Sequence, residues 1–145
     1  MTEKSALRSE IQKPHTNSNF LVDLGYGDPN SFNSGFCEVI FPEFRVDAPK
    51  GVAENGGRSE FLILRRGVTG TLDLYNWWNK ARRAKAPKAR TVKVTLLAED
   101  HSTVVFTWHF RQARPVSLSY SPLNAIQGGV LIESIELAFD SMEMR

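Results

Sequence analysis

The chain has 145 residues, of which 41% are hydrophobic and 23% are charged, and its formal net charge is +2. This length suits one domain with its own hydrophobic core, and this composition excludes disorder over most of the chain. A single cysteine rules out an intramolecular disulfide, and three histidines without cysteine partners argue against a zinc site. The longest apolar runs fall far short of the roughly 20 residues of a membrane span. We therefore expect no membrane anchor and assembly in a reducing compartment, the cytoplasm.

The chain begins with a polar segment and continues in short strands. Residues 1–18 show neither a strand nor a helix pattern, which predicts a flexible N-terminal arm ahead of a single domain over residues 19–145. Residues 42–57 hold two prolines and three glycines and predict a long loop. Apolar runs bounded by turn residues predict three strands in this first half, over residues 19–24, 36–41 and 59–66.

The pattern changes to that of a helix over residues 71–83. Leu74, Trp77, Trp78 and Ala81 recur at i, i+3, i+4 and i+7, which is the spacing of an amphipathic helix. Because these side chains share one face, we expect Leu74, Trp77 and Trp78 to anchor the helix in the core.

Strand patterns return after the helix, over residues 91–97, 103–110, 114–120 and 129–140. The last of these is apolar on parts of both faces, so the protein's own helix or a neighbouring subunit has to cover it. Seven short strands and one helix predict a mainly β fold, a small antiparallel β-barrel or sandwich with one flanking α-helix. The two-sided strand and the long loop together favour self-assembly.

Motifs of known catalytic chemistry are absent from the sequence, among them GxSxG, GxxxxGK[ST], GxGxxG, HExxH and paired cysteines. His109 is expected on the less apolar face of a strand and His101 in a polar turn, where surface histidines are more common than general bases. Cys37 has no cation beside it in the sequence to activate it as a nucleophile. We therefore predict a protein that is not an enzyme and has no catalytic residues, no metal site and no cofactor.

Basic residues are concentrated around the end of the predicted helix. Positions 80–93 hold seven cations and no acid, which leaves the rest of the chain acidic on balance. Such a band can follow a phosphate backbone, with Trp77 or Trp78 stacking on bases, or it can be a solvated or protein-contacting face. The first alternative predicts a monomeric β-barrel that binds nucleic acid. We call this set the basic band: Lys80, Arg82, Arg83, Lys85, Lys88, Arg90 and Lys93.

The segment LILRRGVTGTLDLYNWW, residues 62–78, resembles the central signature of the bacteriophage T4-like tail tube proteins, in which a strand leads through RG(V/T) and a turn into a helix with an aromatic pair. Four further segments follow the family's order: FLVDLG, FCEVIFPEF, the hairpin VKVTLLAED with VVFTWHFRQARPVSLSYSPLNA, and IESIELAFDSMEM. The resemblance covers residues 19–143. The polar arm and the basic segment RAKAPKAR depart from the family's pattern, which leaves the surface contacts open.

This resemblance implies a structural subunit of the inner tube of a contractile phage tail or a related contractile injection system. Such subunits form hexameric rings that stack into a hollow tube inside a sheath. The implied partners are further copies of the chain, the sheath protein, baseplate or initiator proteins, and DNA or protein cargo in the lumen. The finished subunit would then reside in a virion tail or an injection particle. The related tube protein of type VI secretion, an Hcp-like protein, is a further alternative.

The resemblance also gives expectations for the contact residues. We expect the basic band to face the sheath or the edge of a ring, where it would meet acidic partners. Contacts between rings are expected from the long loop and its exit: Phe44, Arg45, Val46, Asp47, Lys50, Arg58 and Glu60.

Overall fold

The structure is a computed structural model that describes residues 15–16, 18–25, 35–46, 60–85 and 88–145. Most of the predicted arm, residues 1–18, lies outside this part of the chain. Seven strands and one helix follow in order: β1 (Phe20–Asp23), β2 (Phe36–Ile40), β3 (Leu62–Gly67), α1 (Asp73–Arg83), β4 (Arg90–Leu97), β5 (Val104–Tyr120), β6 (Ile132–Ala138) and β7 (Ser141–Met144).

The strands pair antiparallel in the order β1, β4, β5, β6, β3, β2, and β7 pairs with β5. Strand β5 is 17 residues long and belongs to two sheets. Its first half pairs with β4 and β7, and with β1 these strands form sheet A. Its second half pairs with β6, and with β3 and β2 these strands form sheet B. The mainly antiparallel β fold with a single helix is therefore confirmed.

Two of the strand boundaries expected from the sequence are wrong, and both lie beside β5. The strands expected over 103–110 and 114–120 are one strand, because Gln112, with a φ of 57°, bends the backbone while pairing continues on both sides. The strand expected over 129–140 is shorter, because β6 spans only Ile132–Ala138, and after Asp140 the chain enters a strand that the sequence did not predict, β7. There the N–H of Asp140 donates to the carbonyl of Arg111 at 2.9 Å, and its carboxylate accepts from Arg114 at 2.9 Å. These bonds hold the turn by which the chain passes from sheet B to sheet A.

The core lies between the facing sides of the two sheets. Strand alternation places Val92 and Val94 of β4 inside, and it leaves Lys93 between them exposed. Phe110 of β5 is completely buried in the same cluster. Helix α1 contributes Leu74 and Trp77 to this core, so one face of the helix covers apolar surface that the sheets alone would expose.

Candidate assembly surface

Sheet B has two ends that differ in chemistry. The register of β3 and β6 pairs Gly67 with Ile132 at one end, which we call the loop end because the connection between β5 and β6 lies there. Leu62 lies at the opposite end, where β2 stops and the chain continues into Phe41 and Phe44, and we call this the aromatic end. With a rise of about 3.4 Å per residue, β3 separates the two ends by about 17 Å.

A buried ion network joins helix α1 to the loop end of sheet B. Arg66 of β3 is only 2% exposed, and its Nε donates to Oε1 of Glu133 on β6 at 2.5 Å. Its two terminal nitrogens donate to the two carboxylate oxygens of Asp73, the first residue of α1. The guanidinium also lies over the ring of Phe36, 5.2 Å from the ring centre. One side chain therefore connects two strands and the start of the helix.

The charges in this network reinforce one another. Burial disfavours the charged guanidinium, but the hydrogen bonds and charges of Asp73 and Glu133 outweigh this cost and raise the pKa of Arg66. Burial likewise disfavours the ionised carboxylate of Asp73, but the hydrogen bond and charge of Arg66 lower the pKa of Asp73 below its usual value. Arg66 and Asp73 therefore stay ionised at neutral pH, and the negative charge of Asp73 lies at the N-terminus of the helix, where it is favourable.

The connection between β5 and β6, which we call the apolar loop (residues 121–131), is fixed at its base. The N–H of Ser121 donates to the carbonyl of Ile132, and the N–H of Ile132 donates to the hydroxyl of Ser121, both at 2.9 Å. The N–H of Val68, just after β3, donates to the carbonyl of Leu131 at 2.9 Å. The loop thus leaves the sheet in a defined direction, beside the ion network.

The tip of the apolar loop is also held in one shape. The side-chain oxygen of Asn124 accepts the N–H groups of Ile126 at 2.9 Å and Gln127 at 3.1 Å, which forms an Asx turn. This turn carries large apolar side chains outward: Leu123 is 86% exposed, Ile126 is 95% exposed and Val130 is 76% exposed. An ordered loop that exposes three aliphatic side chains is typical of a surface that another protein covers.

The aromatic end carries a cluster of rings between the two sheets. The ring of Phe41 lies 4.9 Å from that of Trp108 and 6.2 Å from that of Phe110, measured between centres. Phe44 lies 6.2 Å from Phe110 and 6.5 Å from Phe139. Phe41 and Phe44 are nevertheless exposed, so the cluster extends from the core to the surface.

A cleft of about 680 Å³ opens beside this cluster, between strands β1 and β4 of sheet A and strand β2 of sheet B. Its lining is mixed, and the polar part consists of His15, Thr16, Ser18, Cys37 and Glu38. The apolar lining consists of Phe20, Val39, Phe41, Val94, Leu96 and Trp108.

The residues expected to contact a neighbouring ring fall partly within this end. Phe44 belongs to the ring cluster, Arg45 forms an ion pair with Glu43 through Nε at 3.2 Å, and Val46 is 94% exposed. Glu60 is exposed, two residues before β3. Outside the described residues lie Asp47, Lys50 and Arg58.

The helix anchors expected from the sequence are not equally buried. Leu74 and Trp77 are in the core, whereas Trp78 is only half-buried and contacts Tyr75 and Arg82 on the rim of the helix. Trp78 is rotated by about 100° from Trp77 and lies at the edge of the buried face, where it is only partly covered. The stacking role that nucleic-acid binding would require is also unavailable to Trp77, which is 3% exposed.

The structure divides the basic band into three groups. Arg82 and Arg90 lie over tryptophan rings, Arg82 at 5.1 Å from the centre of Trp78 and Arg90 at 4.5 Å from that of Trp77. Lys80 and Lys88 line a pocket of about 370 Å³ together with Arg90. The remaining members are exposed at the helix end or on the outer face of sheet A: Arg83, Lys85 and Lys93.

His109 lies opposite Lys93 on that outer face. Burial lowers the pKa of His109, and the positive charges of Arg145, Lys93 and Arg111 lower it further.

Across the described ranges, no group of three or more His, Cys, Asp or Glu side chains could hold a metal ion. The same ranges contain no helix that is both long enough and apolar enough to cross a membrane. The exposed apolar side chains at the two ends of sheet B are suited to binding protein surfaces.

Comparison with known proteins identifies the family. The sequence model described as the T4-like virus tail tube protein gp19 matches residues 54–143, more than half of the chain. The chain belongs to this family. This match confirms the family that the sequence predicted. The members of this family are structural tube proteins. No curated protein sequence matches the chain.

Solved structures of contractile injection systems share the fold of this tube family member. A chain of the PVC sheath-tube complex, an extracellular contractile injection system in its extended state, is 19% identical, with 96% of each chain covered and a TM-score of 0.72. A chain of the anti-feeding prophage baseplate is 25% identical, with 92% of this chain and 97% of that chain covered and a TM-score of 0.67. Hcp1 from Flavobacterium johnsoniae is 16% identical, with 75% and 84% covered and a TM-score of 0.52.

Sequence reasoning missed the ion network and the apolar loop. Strand alternation could have indicated the burial of Arg66, because it shares a face with Leu62 and Leu64. Its acidic partner Glu133 interrupts the apolar face of β6, which is a second signal of a buried pair. Leu123, in the apolar loop, gave no comparable signal, since exposure of an aliphatic residue in a loop is decided by its surroundings.

Proposed function

We propose that the chain is the inner tube subunit of a contractile injection system or contractile phage tail, and that six copies form a ring which stacks into a hollow tube. The observation that carries the proposal is sheet B, which is open at both edges among the described residues. In the described part of the chain, β2 pairs only with β3, and the second half of β5 pairs only with β6. An open edge is a template for a strand of another copy. Pairing β2 of one subunit with β5 of the next would continue the sheet around a ring and leave no edges.

The partners of such a subunit follow from its relatives. One similar chain comes from a sheath-tube complex and another from a baseplate. We propose that this chain likewise binds a sheath around the tube and a baseplate at its end, with DNA or protein cargo in the lumen. The exposed cations of the basic band would meet acidic groups of the sheath or of a ring edge. Assembly would take place in the cytoplasm and end in the finished particle, and this role requires neither a catalytic residue nor a cofactor.

Electron microscopy and light scattering of the purified full-length chain test this proposal. Rings or tubes of uniform width are expected, with a six-fold mass in the ring. A protein that stays monomeric at high concentration, and also when co-expressed with its sheath and baseplate proteins, would contradict the proposal.

A single substitution can test the open edge itself. Ser121 donates its N–H toward β6, so the N–H of the preceding Tyr120 points away from β6, to the open edge. Tyr120→Pro removes that outward donor and keeps the pairing with β6, and we expect it to abolish ring formation while thermal unfolding remains cooperative. Tyr120→Phe, which retains the N–H, is the matched control and should assemble as the unsubstituted chain does. Equal assembly of both variants would exclude pairing at this position.

A further inference from the structure

We propose that the pocket at the end of helix α1, which we call the basic pocket, binds a carboxylate side chain of the sheath protein. This inference rests on the proposed function and deepens it, because it names one site within the basic band and the chemical group that the site receives. The pocket is lined by Trp77, Lys80, Ala81, Ala84, Lys88 and Arg90.

The basic pocket lies where the end of α1 meets the start of β4. Trp77 is 3% exposed, and the guanidinium of Arg90 lies over its ring, 4.5 Å from the ring centre. This stacking fixes the position at which Arg90 presents its charge. Ala81 and Ala84 lie at i+4 and i+7 from Trp77, and beside their small side chains a space of about 370 Å³ remains. The pocket can therefore admit a side chain of another protein.

The basic pocket is positively charged. Three of its six lining residues are cations, and none of the six is acidic. Lys80 and Lys88 are exposed, and neither belongs to an ion pair among the described residues. Like charges around one small volume add their potentials, which favours an anion placed between them. A carboxylate is such an anion, and its hydrogen bonds to charged donors are stronger than those of a neutral acceptor.

The tryptophans beside the basic pocket favour a protein carboxylate over the phosphates of a nucleic acid. Proteins that bind single strands combine cations with aromatic rings on which bases stack. Here Trp77 is buried and pairs with Arg90, whereas Trp78 has the guanidinium of Arg82 at 5.1 Å and the ring of Tyr75 at 6.2 Å. Each tryptophan ring thus has an arginine as its partner, which competes with a stacking base.

Sheet A and helix α1 lie on the same face of sheet B. On β3, Leu64 and Arg66 point to this face: Leu64 packs in the core between the sheets, and Arg66 bonds Asp73 at the start of α1. Arg65 points to the opposite face, where its side chain is 41% exposed. Sheet A and α1 together therefore form a second layer over one side of sheet B, and the basic pocket belongs to this layer.

The size of the proposed ring determines which side of sheet B this second layer occupies. Each copy contributes four strands of sheet B. Six copies at about 4.8 Å per strand give a circumference of about 115 Å and a radius of about 18 Å. A second layer packs about 10 Å from a sheet, so inside the ring its circumference would be only about 50 Å. Six copies of sheet A, which also has four strands, need about twice that length. The layer and its basic pocket therefore lie outside, where a sheath surrounds the tube.

Zero-length cross-linking tests the contact directly. Tubes of the unsubstituted chain are bound by the sheath protein and treated with a water-soluble carbodiimide, which joins a lysine amine only to a carboxylate in contact with it. We expect mass spectrometry to find Lys80 and Lys88 joined to an aspartate or glutamate of the sheath. Absence of such cross-links in tubes that carry bound sheath would overturn the inference.

Two double variants with the same change in charge measure how specific the basic pocket is. Lys80→Gln with Lys88→Gln removes two cations from the pocket, whereas Arg83→Gln with Lys93→Gln removes two cations of the basic band that do not line it. Both double variants should form tubes. We expect the first to weaken sheath binding in co-sedimentation at least tenfold and the second less than threefold.

The other outcomes separate this inference from its alternatives. Equal weakening by the two double variants would overturn it, because the sheath would then respond to total charge. Cross-links from Lys80 and Lys88 only to other copies of the chain would also overturn it and assign the pocket to contacts between tube subunits. If the first double variant loses binding to a single-stranded DNA oligonucleotide and keeps its sheath binding, the pocket is a phosphate site and the inference is wrong. Failure of the unsubstituted chain to form tubes, or of the sheath to bind them, would instead count against the proposed function.

Discussion

Helix α1 uses charge differently at its two ends. At its start, Asp73 belongs to a network with Arg66 and Glu133 that is largely closed to water. At its end, Lys80 and Arg83 are exposed and belong to none of the ion pairs among the described residues. The first set of charges fixes the helix against sheet B, whereas the second has no ion-pair partner in the part of the chain that the structure describes. Charge that is paired inside the chain determines the fold, and charge that is left on the surface determines association.

The largest expected effect on stability comes from disrupting the buried ion network at the start of helix α1. Arg66→Met leaves the carboxylates of Glu133 and Asp73 without their cation, and Glu133 is only 4% exposed. We expect the free energy of unfolding to fall by about 3–5 kcal/mol, the cost of stranding a buried charge. Chemical denaturation of the variant measures this change.

The neighbouring arginine provides the matched control. Arg65 forms an ion pair with Glu38 in which both side chains are half exposed, and Arg65→Met should cost about 0–1 kcal/mol. Equal losses for the two variants would mean that burial of the Arg66 network adds nothing to stability.

The second prediction concerns acid. Because the pKa of Asp73 is lowered in the folded protein, its contribution is complete above the unfolded value of about 3.9 and is lost as the pH falls through the lower folded value. We expect Asp73→Asn to cost about 1.5 kcal/mol at pH 7. The unsubstituted chain should lose stability more steeply than this variant below about pH 4, as measured by denaturation at several pH values. Parallel pH profiles would contradict the assignment.

The smallest effect on stability is expected at the other end of the helix. Replacing Lys80, Arg83, Lys85 and Lys88 by Gln should change the free energy of unfolding by less than about 0.5 kcal/mol per site. Binding to a partner should change instead, with reduced attachment of the sheath in a co-sedimentation assay. If the unsubstituted chain binds nucleic acid with an affinity that falls steeply with salt, and the fourfold variant does not, the nucleic-acid alternative gains support over sheath binding.

The comparison also shows which features the sequence could predict. Strand β4 and helix α1 were placed within two residues of their observed ends, because period-2 and period-3.6 patterns are local properties of the chain. The tail tube family was recognisable for a related reason, since its segments keep their order along the chain. The boundary errors near Gln112 and Asp140 arose where one strand serves two sheets, a property that depends on pairing partners elsewhere in the chain.

The sequence by itself determined the class of fold, the family and most of the elements, all of which follow from patterns a few residues long. Only the tertiary structure decided that Arg66 is buried against Glu133, 67 residues away, and that the apolar loop and the cluster of Phe41 and Phe44 lie at opposite ends of one sheet. The physical reason is that burial, ion pairing and the relative position of surfaces are set by contacts between distant segments. Such contacts exist only once the strands have found their registers.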